Sequence, residues 1–100
     1  MTRYGQLIRQ RAMARRQRAL AAAECALQAL RGRGVKARLI GSLTKDPSVF
    51  RDDSDIDILV EDRNGLDEVA VYLEAEKQVG DIPVDLVFLE TVPEDMRRFL

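Results

Sequence analysis

The sequence predicts a small α/β (α+β) domain, a mixed three-stranded sheet packed by helices in the order α-β-β-α-β-α, with a long helix first. Three observations predict it. A run without proline or glycine, rich in Ala, Leu, Arg and Gln, extends from Gln6 to about Arg31, and its summed propensity is strongly helical. Three short strand-like runs follow, at Val35–Ile40, where apolar and basic residues alternate, Ser54–Glu61 and Val84–Leu89. Between the second and third run lies an apolar stretch with helical spacing.

Within the long helix, Met13, Leu20, Ala23, Leu27 and Leu30 recur at helical spacings and form one stripe, most continuous in the second half. That half is expected to pack on the domain. Arg9, Arg11, Arg15, Arg16 and Arg18 crowd the first half, where Arg16 interrupts the stripe, so this part is expected to project. It reads either as a solvated basic face or as a contact surface for an acidic partner or RNA. Arg31-Gly32-Arg33-Gly34 supplies the stop, with cations at the negative end of the helix dipole.

The strand Val35–Ile40 leads into a tight Gly41-Ser42 turn. Leu43 to Asp46 suits one helical turn before Pro47, and a loop runs to Asp53. Ser54–Glu61 is the second strand and Asp62-Arg63-Asn64-Gly65 a turn. Leu66, Val69, Ala70 and Leu73 mark one face of a second helix that fades near Gly80. Pro83 opens the third strand. Thr91 is an N-cap candidate ahead of Pro93, with Glu94 and Asp95 in the first turn of a last short helix toward Leu100.

One hundred residues, 46% of them hydrophobic, suffice for a single domain with a modest core. No apolar run approaches the roughly 18 to 20 residues that cross a bilayer, and Met1-Thr2-Arg3-Tyr4 opens no signal-peptide core. A soluble, cytoplasmic protein with no membrane contact is expected. The lone Cys25, among alanines, reads as a small core-facing side chain. Histidine is absent, which removes the commonest general base and metal ligand. Any metal must therefore be held by carboxylates. The first forty residues are almost purely basic apart from Glu24, while the remainder is heavily acidic.

The chemistry concentrates in Gly41–Val60. Residues two apart in a strand point to the same face, so Asp55 and Asp57 project together while Ile56, Ile58 and Val60 enter the core. Two adjacent carboxylates repel unless water or a shared cation screens them, and Mg²⁺ is the usual hard cation beside substrate phosphates. Asp85 is a single acid inside an otherwise apolar strand. If that strand neighbours the second, Asp85 stands beside Asp57, and three acids make a two-metal phosphoryl-transfer site conceivable. Gly41 lets the backbone approach a phosphate, and the turn offers N–H groups with the Ser42 hydroxyl. Lys45 and Arg51 in the loop are candidates for added charge in the clamp. Asp-x-Asp alone is ordinarily a solvated strand end, and Gly-Ser alone a turn; the full combination is far more demanding.

At these residues the chain resembles the nucleotidyltransferase superfamily of the polymerase β type, whose signature is Gly-Ser, a spacer, Asp-x-Asp and a later carboxylate. It looks most like the minimal nucleotidyltransferase (MNT) group, over roughly Val35 to Glu94. The spacer is somewhat long and carries Lys45-Asp46-Pro47 where many relatives have a basic residue and a glycine. The resemblance implies the nucleotidyltransferase fold and covers the N-terminal helix only loosely; the expectation is a single minimal nucleotidyltransferase domain over 1–100, with the basic helix over 1–33 and a catalytic core over 35–100. It also implies that Gly41 and Ser42 bind ATP phosphates, that Asp55 and Asp57 bind Mg²⁺, with two ions expected, and that Asp85 completes the catalytic and metal-binding triad. Members of this group commonly pair with a HEPN-domain RNase toxin and act as its antitoxin, some by transferring AMP from ATP to a toxin tyrosine. The implied partner is such a toxin, with direct nucleic-acid binding less favoured. The alternatives are a catalytically weak antitoxin that neutralises by contact alone, and a free-standing transferase acting on a small molecule or RNA.

Overall fold

The computed structural model describes residues 3–44 and 55–100, apart from the Ser42 side chain. Its α+β architecture follows the expected order of elements as far as the third strand. Helix α1 spans Arg3–Gly32, strand β1 Lys36–Ile40, strand β2 Ile56–Asp62, helix α2 Glu68–Val79 and strand β3 Val84–Phe88. The sheet is mixed, in the order β1-β2-β3. β1 pairs antiparallel with β2, which pairs parallel with β3, so the helix between β2 and β3 forms the crossover a parallel pair needs. No helix among the described residues is long and apolar enough to cross a membrane.

The core lies between one sheet face and the two helices. Ile56, Ile58 and Val60 are fully or almost fully buried there, with Ala37, Leu86 and Phe88 from the flanking strands. From α1 come Ala19, Ala23, Ala26, Leu27 and Leu30, which face the sheet and α2. The three alanines among them leave room for the helix backbones to approach. The burial begins only at Ala19, and Tyr4, Leu7, Ile8 and Met13 in the first half are exposed. Thirty residues make a helix roughly 45 Å long, and the molecule is 52 Å in its longest dimension and 16 Å in its shortest. The stretch of α1 up to about Ala14 is accordingly an arm, whereas Arg15 and Arg16, expected to project with it, are half-buried. The helix stop involves more than Gly34 at φ 78°, because Asn64 Nδ2 donates to Arg33 O at 3.0 Å, tying the β2–α2 turn to the end of α1.

Four local readings are corrected. The buried face of α2 is Val71, Ala75 and Val79, whereas Val69 and Leu73 are 62% and 55% exposed and Leu66 precedes the helix. Both sets have helical spacing, and only the position of α1 chooses between them. Cys25 is exposed, since Ala23, Ala26 and Leu27 occupy the inward positions around it. Met13 belongs to no buried stripe, because the domain does not reach that far along α1. The final segment forms two short 3-10 turns, Leu89–Thr91 and Glu94–Phe99, and no α-helix. Thr91 caps neither: its hydroxyl donates back to Phe88 O at 2.7 Å.

Candidate active site

The second face of the sheet carries the acids. Asp57 is paired with Asp85 across the parallel β2–β3 ladder and with Ile40 across the antiparallel β1–β2 ladder. Side chains directly opposite on neighbouring strands share a face, so Asp57 and Asp85 stand side by side. Asp55, just before β2, is exposed, and Asp57 is half-buried. The start of the parallel pair is fixed by Ile56 N donating to Pro83 O at 2.9 Å. Burial, then Asp85, then Asp55 push the Asp57 carboxyl above its ordinary value of 3.8. The three acids thus form one electrostatic unit centred on Asp57.

Gly41 meets this unit from β1. It opens a 3-10 turn over Gly41–Thr44 at φ 80°, a conformation costly for residues with a Cβ. A Cβ built there would lie 3.0 Å from Asp57 Cβ and closer still to its Oδ2. The missing side chain therefore leaves the space that the Asp57 carboxylate occupies. Thr44 Oγ1 donates to Gly41 O at 2.7 Å and closes the turn, while Leu43, 3% exposed, anchors it in the core. Gly41→Ala is expected to destabilise the fold by about 1–3 kcal/mol, read as a lower urea midpoint. An unchanged midpoint would mean that the turn has no such strain.

Tyr72 was not legible as a site residue. Its hydroxyl accepts from Leu86 N at 3.1 Å and faces Asp85 Oδ1 at 3.3 Å, with Leu86 O an alternative acceptor at 3.4 Å. The ring packs on Phe88, centroids 6.1 Å apart. Tyr72 therefore satisfies the outer edge of β3 and orients Asp85 together. Its one sequence signal is a phenol in a helix beside a strand with a lone acid, since a half-buried Tyr hydroxyl needs a partner.

Beside Gly41 is a groove of about 430 Å³, lined among others by Arg38, Ile40, Thr44 and Phe99. Its size falls within the range of small-molecule pockets, about 300–1,000 Å³. Phe99 is 68% exposed, and the Arg98 guanidinium lies 5.0 Å from its ring centroid. Of the groove's lining only Gly41 is a site candidate from sequence, because the groove is assembled from β1 and the last 3-10 turn, sixty residues apart in the chain.

Of the expected site residues, Asp57, Asp85 and Gly41 converge, Asp55 flanks them, and the Ser42 backbone lies in the turn. Lys45, Arg51 and the Ser42 side chain lie outside the described structure. Among the described residues, no three acidic or cysteine side chains are gathered closely enough to cage a metal by themselves. The donor set is nevertheless all-oxygen, and Mg²⁺ is commonly held by one or two carboxylates completed by water and substrate phosphate. In-register Asp57 and Asp85, with the Gly41 cradle beside them, fit that kind of ligation. Compared with known proteins, the chain matches no family model, no curated protein and no solved structure.

Proposed function

We propose that this chain is a Mg²⁺-dependent minimal nucleotidyltransferase that acts as an antitoxin, transferring AMP from ATP to a tyrosine of a partner HEPN-domain RNase. The observation that carries the reading is the pairing of Asp57 with Asp85, with the Gly41 turn against Asp57. Such an arrangement puts cation-binding oxygens and backbone N–H donors on two sides of one spot, which phosphoryl transfer requires. Mg²⁺, held by Asp57 and Asp85 with Asp55 beside them, would supply charge neutralisation at the phosphates. The Gly41–Thr44 turn holds the departing pyrophosphate through its N–H groups. The nucleoside lies in the groove with its base against Phe99. Asp85, oriented by Tyr72, accepts the proton of the acceptor hydroxyl as the new O–P bond forms and the bond to pyrophosphate breaks.

The test is intact-mass measurement of the partner after incubation with this chain, ATP and Mg²⁺. An added adenylyl group is expected, and none in chelator. A second reading, neutralisation by contact alone, is favoured by the arm, where Tyr4, Leu7 and Ile8 are exposed beside exposed Arg9, Arg11 and Arg18. If the partner gains no mass with any of the four nucleoside triphosphates yet is silenced, contact is the mechanism.

A further inference from the structure

The arginines of α1 are not one group. Arg9, Arg11 and Arg18 are exposed, whereas Arg15 and Arg16 are half-buried. No acid occurs in the chain before Glu24, so no carboxylate of the helix's first five turns can neutralise them. Arg16 Nη2 reaches across to the Gly41–Thr44 turn and donates to Leu43 O at 3.4 Å, a long bond to a neutral acceptor. The Nε atoms of both Arg15 and Arg16 are buried without a hydrogen-bond partner among the described residues. A buried donor without an acceptor is unfavourable, and doubly so on a cation. Arg16 is thus an under-used guanidinium held against the turn whose first residue touches Asp57.

We infer that Arg16, supported by Arg15, is a phosphate-binding residue of this site, reaching it from α1 and taking the terminal phosphates of a polyphosphate ligand. The inference rests on the nucleotidyltransferase reading and adds to it a residue outside the Gly-Ser and Asp-x-Asp segments. Its logic is a division of charge. Carboxylates on β2 and β3 repel an unscreened polyphosphate, and the turn offers only neutral donors. A guanidinium on the turn's other side balances the ligand's charge and forms paired N–H···O bonds that a carbonyl cannot match. It also gives α1 a role in the site besides packing.

The experiment is titration calorimetry of the intact chain with inorganic tripolyphosphate in Mg²⁺, at two salt concentrations. Arg16→Gln should weaken binding at least tenfold and reduce its salt dependence, and Arg16→Lys should recover part of the loss. Arg9→Gln, on the exposed arm, should bind as wild type does. Thermal melts of each variant separate loss of binding from loss of fold, and Arg16→Lys keeps the charge if the glutamine variant unfolds. Wild-type affinity in folded Arg16→Gln, or an equal loss in Arg9→Gln, overturns the inference, as does a wild-type chain that binds no tripolyphosphate. Adenylyl transfer that persists alongside any of these results leaves the nucleotidyltransferase reading standing. Tripolyphosphate binding that needs Arg16, in a chain that transfers nothing, counts against that reading alone.

Discussion

Asp57→Asn is expected to abolish the proposed nucleotidyl transfer, a loss of at least about 100-fold, and yet to raise the melting temperature of the metal-free protein. The two effects have one cause. The Asp57 carboxyl is pushed above its ordinary value first by burial and then by Asp85 and Asp55, so its ionised form is disfavoured in the folded state. A carboxylate with a raised folded pKa binds its proton more tightly folded than unfolded. Stability therefore falls as pH rises from the ordinary carboxylate range through the raised value, and the penalty is then constant at neutral pH. Asparagine removes the charge while keeping the size, so in chelator at pH 7 the variant should melt a few degrees higher, on a scale of roughly 4–8 °C per kcal/mol for such a domain. The gain should vanish below the ordinary value of 3.8. Added Mg²⁺ should reverse the order at neutral pH by stabilising wild type more than the variant. A variant no more stable than wild type in chelator would show that the three acids do not strain the fold.

Leu30→Ala should cost about 2–5 kcal/mol, a large part of the 5–15 kcal/mol of a typical domain. Leu30 is fully buried where α1 meets the core, and truncation leaves a cavity that the surrounding strands cannot fill without moving. The matched control is Leu73→Ala on α2. Sequence spacing alone put Leu73 on the buried face, but it is 55% exposed, so its truncation should stay within about 0.5 kcal/mol. Urea unfolding of both variants decides the matter, and equal losses would restore the Leu66, Val69, Ala70, Leu73 face to the core.

Much of this molecule is legible one residue at a time. The alternation around Asp57 assigns it to the face opposite Ile56 and Ile58, because strand side chains have a period of two and a buried apolar set admits one phase. The helical run, its glycine stop and the small-residue turn at Gly41 are equally local, arising from propensity and from backbone conformations that only glycine adopts cheaply. The α2 face is different. Two stripes, each at helical spacing, compete there, and the choice depends on where α1 lies. Cys25 was misread for the same reason, since an alanine-rich helix has several faces small enough to bury.

By itself, then, the amino-acid order determined the succession of helices and strands as far as β3, the side of the strand that bears the acids and the need for glycine before them. Short-range sterics and side-chain periodicity act within a few residues, and those features need nothing more. Only the tertiary structure decided that Asp85 lies in register with Asp57 and that Tyr72 holds it. It alone brought Arg16 to the Gly41 turn and Phe99 to the groove beside β1. Each of these depends on strand register or on packing between segments distant in the chain, where burial of the whole core selects one arrangement from many that local preferences permit equally.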